Sequence, residues 1–197
     1  MEFHFGNRAR PDPQDLALPV WNQVHGIQIG FVESAGQDLG DVDGMWTTVS
    51  GLTVAVRTAD CVPILLRRRD GAAVAALHAG WRGSIADIVG QFVATVERAG
   101  DAPAEWEAMI GPSARGCCYE VDEDLARRFQ ERVPASVKGR NLDLAAFNAS
   151  RLRELGVQKI DVHPACTICA IDENGPIFHS FRREKGRARQ VSWLTLS

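Results

Sequence analysis

The chain has 197 residues, 45% of them hydrophobic and 24% charged, with a formal net charge of −3. This balance predicts a globular protein with a sizeable core and excludes a disordered or fibrous chain, and the net charge argues against a nucleic-acid partner. No apolar run approaches the roughly 20 residues of a membrane-spanning helix, Met1 to Gln14 lack the basic-then-apolar order of a signal peptide, and five cysteines, an odd number, fit a reducing cytoplasm better than a disulfide framework.

One domain over 1–197 is expected, with an N-terminal segment of about 1–20 in which residues 7–19, with Pro11, Pro13 and Pro19, read as irregular. From Gly51 the texture changes. "LTVAVRT", "VPILLRR" and "AAVAALH" read as strands, the last two joined by a turn at Arg69–Gly71. Ile85, Ile88, Val89, Phe92, Val93 and Val96 form one apolar stripe at helical spacing, with Ser84 and Asp87 as a capping pair and Gly100 as the stop. "AEWEAMIGPS" reads as a strand. "VDEDLARRFQERV" reads as a helix ended by Pro134, and "DLAAFNASRLRELG" as a helix capped by Asp143 and stopped by Gly156. "VQKIDVH", "PIFHSFRR" and "QVSWLTL" are expected to be late strands. Adjacent strands with separate helices predict an α+β fold with mixed β-sheets rather than a strictly alternating parallel one.

Three stretches carry candidate chemistry. "WNQVHG" holds His25, and "RTADCVPILLRRRDGAAVAALHAGWRG" holds Asp60, Cys61, His78 and Arg82. Two imidazoles and a thiolate form a ligand set that zinc accepts, and a trio leaves a fourth position open, as in catalytic sites. The three residues are far apart in sequence, and each also has an ordinary structural explanation: a hydrogen-bonded histidine at a strand end, a cysteine in the core. Small residues around His78 let backbone approach a ligand, and Arg82 at a helix start suits an anion. Asp60 reads equally as an orienter of a ligand, a general base or a turn cap.

"IGPSARGCCYEV" carries Cys117 and Cys118, read as loop thiols rather than nucleophiles, and "CTIC" carries Cys166 and Cys169, a CxxC without a second pair whose strand-like setting argues against a structural zinc site completed by His163 and His179. Arg182 and Arg183, in "FHSFRREKGRAR", read as an anion clamp or as a basic strand edge. Arg67 to Arg69 read as a solvated face.

Taken together, "QVHG", "TADCVPILL", "AALHAGWRG", "IGPSARGCCYEV", "DLAAFNASRLRELGV", "CT" and "FHSFRR…GR…WL" occur in the order of one family. The chain resembles the YfiH/YlmD family, long labelled a multicopper polyphenol oxidase or laccase domain and associated with purine nucleoside phosphorylase activity, from about Trp21 to the C-terminus. The resemblance implies a sandwich of mixed β-sheets flanked by helices, distantly similar to the deamidating domain of a bacterial cytotoxic necrotizing factor. It implies His25, Cys61 and His78 as metal ligands and Zn2+ as the cofactor. It also implies phosphorolysis of adenosine, inosine and methylthioadenosine, and deamination of adenosine. The start departs from the family pattern. Only Arg8 of an Arg-Gly-Gly-Val-Ser-type motif is preserved, so a shortened N-terminal segment is expected.

On this reading Asp60 moves a proton, Arg82 assists catalysis, and Arg8 and Arg183 join Arg82 in clamping phosphate. Three alternatives stand beside it. A copper-dependent polyphenol oxidase follows the older label, although five histidines are few for multicopper chemistry. A hydrolase with Cys61 as nucleophile and His78 as base would edit muropeptide precursors. A binding module would keep the fold without the reaction.

Overall fold

The computed structural model describes residues 2–9 and 16–197, so Pro11 and Pro13 lie outside the described residues. The first strands are β1 (Glu2–Phe5), β2 (Val20–Asn22), β3 (Ile29–Phe31), β4 (Asp38–Asp41) and β5 (Gly44–Thr47). The central region runs β6 (Thr53–Thr58), β7 (Val62–Arg68), β8 (Val74–Ala79), α1 (Trp81–Ile85), α2 (Ile88–Arg98) and β9 (Trp106–Ile110). Then follow α3 (Glu123–Arg132), β10 (Val137–Lys138), β11 (Asn141–Leu142), α4 (Leu144–Glu154) and β12 (Lys159–Val162). The chain closes with β13 (Ile171–Asp172), β14 (Gly175–Pro176), α5 (Phe181–Glu184) and β15 (Gln190–Thr195).

The six-stranded sheet has the order β12-β9-β7-β8-β5-β3. Its outer pairs, β12–β9 and β3–β5, are parallel and its inner pairs antiparallel, which makes it the expected mixed sheet. A three-stranded antiparallel sheet, β1-β15-β6, packs on one face. The strand period of two divides the core. Ile64, Leu66, Ala75 and Leu77 face α2, α3 and α4, whereas Leu65, Val74 and Ala76 face Val54, Val56 and Trp193 of the smaller sheet. On the helical side, Phe129 and Phe147 meet edge to face at 4.7 Å. The result is the mixed-sheet sandwich flanked by helices that the family resemblance implied.

Two expectations are corrected. The stripe from Ile85 to Val96 is not one helix, because Asp87 adopts φ 70° between α1 and α2. Aspartate tolerates this left-handed conformation better than most side chains. Arg151 of α4 holds its carboxylate at 2.9 Å, and a Cβ on Gly90 would meet that carboxylate at 2.3 Å. Ser84 caps nothing. Its Oγ accepts from Asn148 at 2.9 Å. "PIFHSFRR" is not a strand: only Pro176 is in one, and Ser180 caps α5 by accepting from the Arg183 backbone. Among the described residues, no helix is long and apolar enough to cross a membrane.

Glu107 of β9 is a buried carboxylate that bridges β7 and β12, pairing with Arg67 and, at 2.8 Å, with Lys159. Burial pushes its carboxyl upward, but Lys159 and Arg67 outweigh burial and hold it below the usual carboxylate range. A carboxyl held low in the folded chain stabilises it above the unfolded pKa, and the effect fades as pH falls through the folded value. Glu107→Gln is therefore expected to cost about 1 kcal/mol at neutral pH, given the exposure of both cations. Urea unfolding should show the difference narrowing below the carboxylate range.

Candidate metal centre

The loop after β2 is built around Asp43. Its Oδ2 accepts the backbone N–H groups of Val24 at 3.1 Å and Gly26 at 2.6 Å, and its Oδ1 accepts that of His25 at 3.0 Å. Three successive amides on one carboxylate form an anion nest and hold His25 at φ 62°. Gln23 fixes the other side of the loop. Its side-chain amide donates to the Arg57 carbonyl at 2.9 Å and accepts the Arg57 N–H at 2.8 Å, as a strand neighbour would.

Asp43 also reaches the second histidine. Its Oδ1 lies 2.7 Å from Nδ1 of buried His78, which leaves Nε2 for a ligand. Cys61 immediately precedes β7, and His78 pairs with Pro63 across the β7–β8 ladder. One ligand atom from each of His25, Cys61 and His78 lies within 4.8 Å of the other two, and the two imidazoles meet edge to face at 4.8 Å. The donors are two nitrogens and a sulfur, with a carboxylate orienting one ring; this set fits zinc.

Electrostatics prepare the same atoms. Burial opposes ionisation of Cys61, but hydrogen bonds with His25 and His78 outweigh it and bring the thiol down to about 6. Burial likewise disfavours a charged His78, yet Asp43 and Cys61 lift it to about 9. Asp43 itself is held low against its burial, mainly by His78 and the Gly26 amide. The thiol is thus poised as a thiolate at neutral pH.

The glycines of "HAGWRG" are required by close approach. A Cβ on Gly80 would lie 3.0 Å from the His25 ring and 3.1 Å from the Cys61 sulfur, and one on Gly83 would lie 2.9 Å from the Gly26 carbonyl. Gly80→Ala is expected to push His25 and Cys61 apart and to weaken metal binding about 10-fold or more, with the fold retained. Competition against a chromophoric chelator would measure it.

Two cavities of about 420 and 390 Å3 share His25, Ala59, Cys61 and Phe181 in their walls. Arg57 and Arg189 line the first; Arg82, Arg182 and Lys185 line the second, with Trp81 and Tyr119. Arg82 stacks on Trp81 at 4.3 Å and Arg182 on Tyr119 at 5.0 Å. The walls therefore offer cations for an anion and aromatic faces for a planar ring.

The other expected site residues are placed differently. Asp60, at φ 86°, accepts from Thr167 Oγ1 at 2.7 Å, Ser180 Oγ at 3.0 Å and the Arg182 N–H at 2.7 Å. It pins two loops beside Cys61, and orienting a histidine falls to Asp43 instead. Arg183 and Arg8 line neither cavity. The Arg183 guanidinium donates to the carbonyls of Thr167, Ile168 and Phe178 and pairs with Glu184. Arg8 donates to the Phe178 carbonyl and also pairs with Glu184. Sequence reasoning missed Asp43, Arg57 and Arg189. Asp43 in "DVDGMW" looks like any turn aspartate, and only the ring of N–H groups around it reveals its part.

The sulfurs of the "CTIC" pair lie within 4.8 Å of those of Cys117 and Cys118, and His163 and His179 are not in the group. His163 Nδ1 accepts the Ala165 N–H, and His179 faces Glu184.

A mixed-sheet sandwich with two histidines and a cysteine converging at a cationic, aromatic-walled cleft defines a class of protein. The sequence model described as "Multi-copper polyphenol oxidoreductase laccase" matches residues 7–196, and the chain belongs to this family. It is 35% identical to a purine nucleoside phosphorylase of Corynebacterium glutamicum, over 98% of this chain and 87% of that protein. A purine nucleoside phosphorylase of Aquifex aeolicus is also 35% identical, over 100% and 92% of the two chains. Among solved structures, YlmD from Geobacillus stearothermophilus aligns with a TM-score of 0.81 at 30% identity, covering 91% of this chain and 73% of that one. YfiH from Bacillus licheniformis aligns at 0.80 with 27% identity, covering 92% and 74%.

Proposed function

We propose that this protein is a cytoplasmic, zinc-dependent purine nucleoside phosphorylase that cleaves adenosine, inosine and methylthioadenosine and also deaminates adenosine. The observation that carries the reading is the convergence of His25, Cys61 and His78 within 4.8 Å, in a cleft walled by arginines and aromatic rings. Relatives bearing the name purine nucleoside phosphorylase support it. His25, Cys61 and His78 would hold the zinc, which would supply Lewis-acid chemistry to the cleft.

The remaining steps belong to the chain. Phosphorolysis forms a bond from a phosphate oxygen to the sugar carbon C1′ as the bond from C1′ to the purine nitrogen breaks. Phosphate must therefore be held as a dianion beside the sugar. Planar guanidinium groups are suited to this, and Arg57, Arg82, Arg182 and Arg189 line the cleft. We assign the clamp to these residues in place of Arg8 and Arg183. Phe181, in the wall common to both cavities, offers a face for the purine. Asp60 holds Thr167, Ser180 and Arg182 in place by accepting a hydrogen bond from each.

The test is to incubate protein of known metal content with adenosine, with and without phosphate, and to separate the products. Adenine released only with phosphate is the expected result, with inosine as the product of deamination. Neither product from metal-loaded protein would overturn the reading. One observation favours a second reading, a thiol hydrolase acting on muropeptide-like substrates. Cys61 has a thiol near 6 and two histidine partners, the arrangement of an activated nucleophile. Substrate-dependent acylation of Cys61 in metal-free protein would identify it.

A further inference from the structure

The loop between β9 and α3 carries Cys117 and Cys118, and the turn after β12 carries Cys166 and Cys169. The two segments are sewn together by a bridge between Ser113 and Cys166 and by the Thr167 N–H donating to the Ser113 carbonyl at 3.0 Å. All four sulfurs fall within 4.8 Å of one another. Cys117 and Cys169 are solvent-exposed, so burial of apolar thiols does not explain why their sulfurs point inward to a common centre.

We propose that Cys117, Cys118, Cys166 and Cys169 form a second metal site, a closed tetrathiolate centre for a single zinc-class ion. A tetrahedral ion with metal–sulfur bonds of about 2.3 Å sets neighbouring sulfurs about 3.8 Å apart. The Cys117 and Cys169 sulfurs are separated by 3.8 Å, far beyond the roughly 2.05 Å of a disulfide. The Arg115 backbone N–H points at the Cys166 sulfur at 3.5 Å, the orientation that stabilises a bound thiolate. Four thiolates select soft or borderline ions and leave no open position, so the centre is structural rather than catalytic. Its place in the fold indicates what it supports. Thr167, between the two CxxC cysteines, donates to Asp60 at 2.7 Å, and the Thr167 and Ile168 carbonyls accept from Arg183. The ion would hold the turn that anchors the residue preceding Cys61.

The test is metal analysis by mass spectrometry on full-length protein produced and kept under reducing conditions. The expected result is two zinc ions per chain, and one each in a Cys117→Ser/Cys169→Ser variant and a His25→Ala/Cys61→Ala variant. The second variant leaves the four-cysteine centre intact, so the proposal stands or falls on it even where the first fails to fold. Cobalt substituted into it should show the intense thiolate-to-metal charge transfer and visible bands of a tetrahedral four-sulfur site. A metal-free His25→Ala/Cys61→Ala protein with four thiols open to a thiol reagent would overturn the proposal. So would a Cys117–Cys169 disulfide that persists under the same conditions.

Discussion

Cys61→Ala is expected to remove one metal equivalent from the His25 centre and to lower phosphorolysis by more than about 100-fold, beyond what loss of an outer partner of a ligand costs. Cys61 is the soft, anionic member of the trio, and its thiol is already near 6. Without it two imidazoles remain, one of them on an exposed loop residue, and neither brings negative charge to offset the ion's. The fold should survive. The lost side chain is small and only partly buried in the cleft wall, so a thermal melt should move by only a few degrees while metal content and activity collapse. Full phosphorolysis by a Cys61→Ala protein lacking that metal would sink the zinc mechanism. Retained metal with lost turnover would instead favour Cys61 as a nucleophile.

Asp43→Asn should damage both stability and metal affinity. Four donors converge on the two Asp43 oxygens: the Val24, His25 and Gly26 amides and His78 Nδ1. An asparagine of the same shape presents one NH2 group where an acceptor is needed, so whichever way it turns, two donors lose their partner. The cost is on the order of 2–4 kcal/mol, from unsatisfied groups and loss of the charge opposite His78. The His78 ring either loses its acceptor or keeps only a neutral, weaker one to direct Nε2, and affinity for zinc should fall about 10- to 100-fold. Urea unfolding and chelator competition on the same sample would separate the two effects. An Asp43→Asn protein with unchanged affinity would show that the backbone alone positions both histidines.

Residue patterns close to one another in the chain were legible from the sequence. The β7–β8 hairpin follows from two β-branched runs around Arg69–Gly71, α3 from a helical segment ended by Pro134, and α4 from a segment stopped by Gly156 and capped by Asp143, which does accept a capping amide. The mixed-sheet sandwich and the identity of the family were likewise readable, because seven ordered motifs carry them. The ligand trio was nameable as residues of the right chemistry, yet their convergence depended on the resemblance, since His25 and Cys61 meet only through the packing of distant strands.

Tertiary structure decided the rest. Periodicity sees the apolar stripe from Ile85 to Val96 but not the Arg151 side chain that holds Asp87 in a left-handed turn. Local pattern makes "PIFHSFRR" a strand, while Asp60, more than a hundred residues away, takes the Ser180 hydroxyl and the Arg182 amide and lets a helix start there. The same blindness hid the carbonyls and Glu184 that engage the Arg8 and Arg183 guanidinium groups, and it hid Asp43. It also hid the nearness of Cys117 and Cys118 to Cys166 and Cys169. Hydrogen bonds and ion pairs between residues far apart in sequence leave no local periodicity, so composition and spacing reveal which chemistry a chain carries, and packing determines which groups face one another.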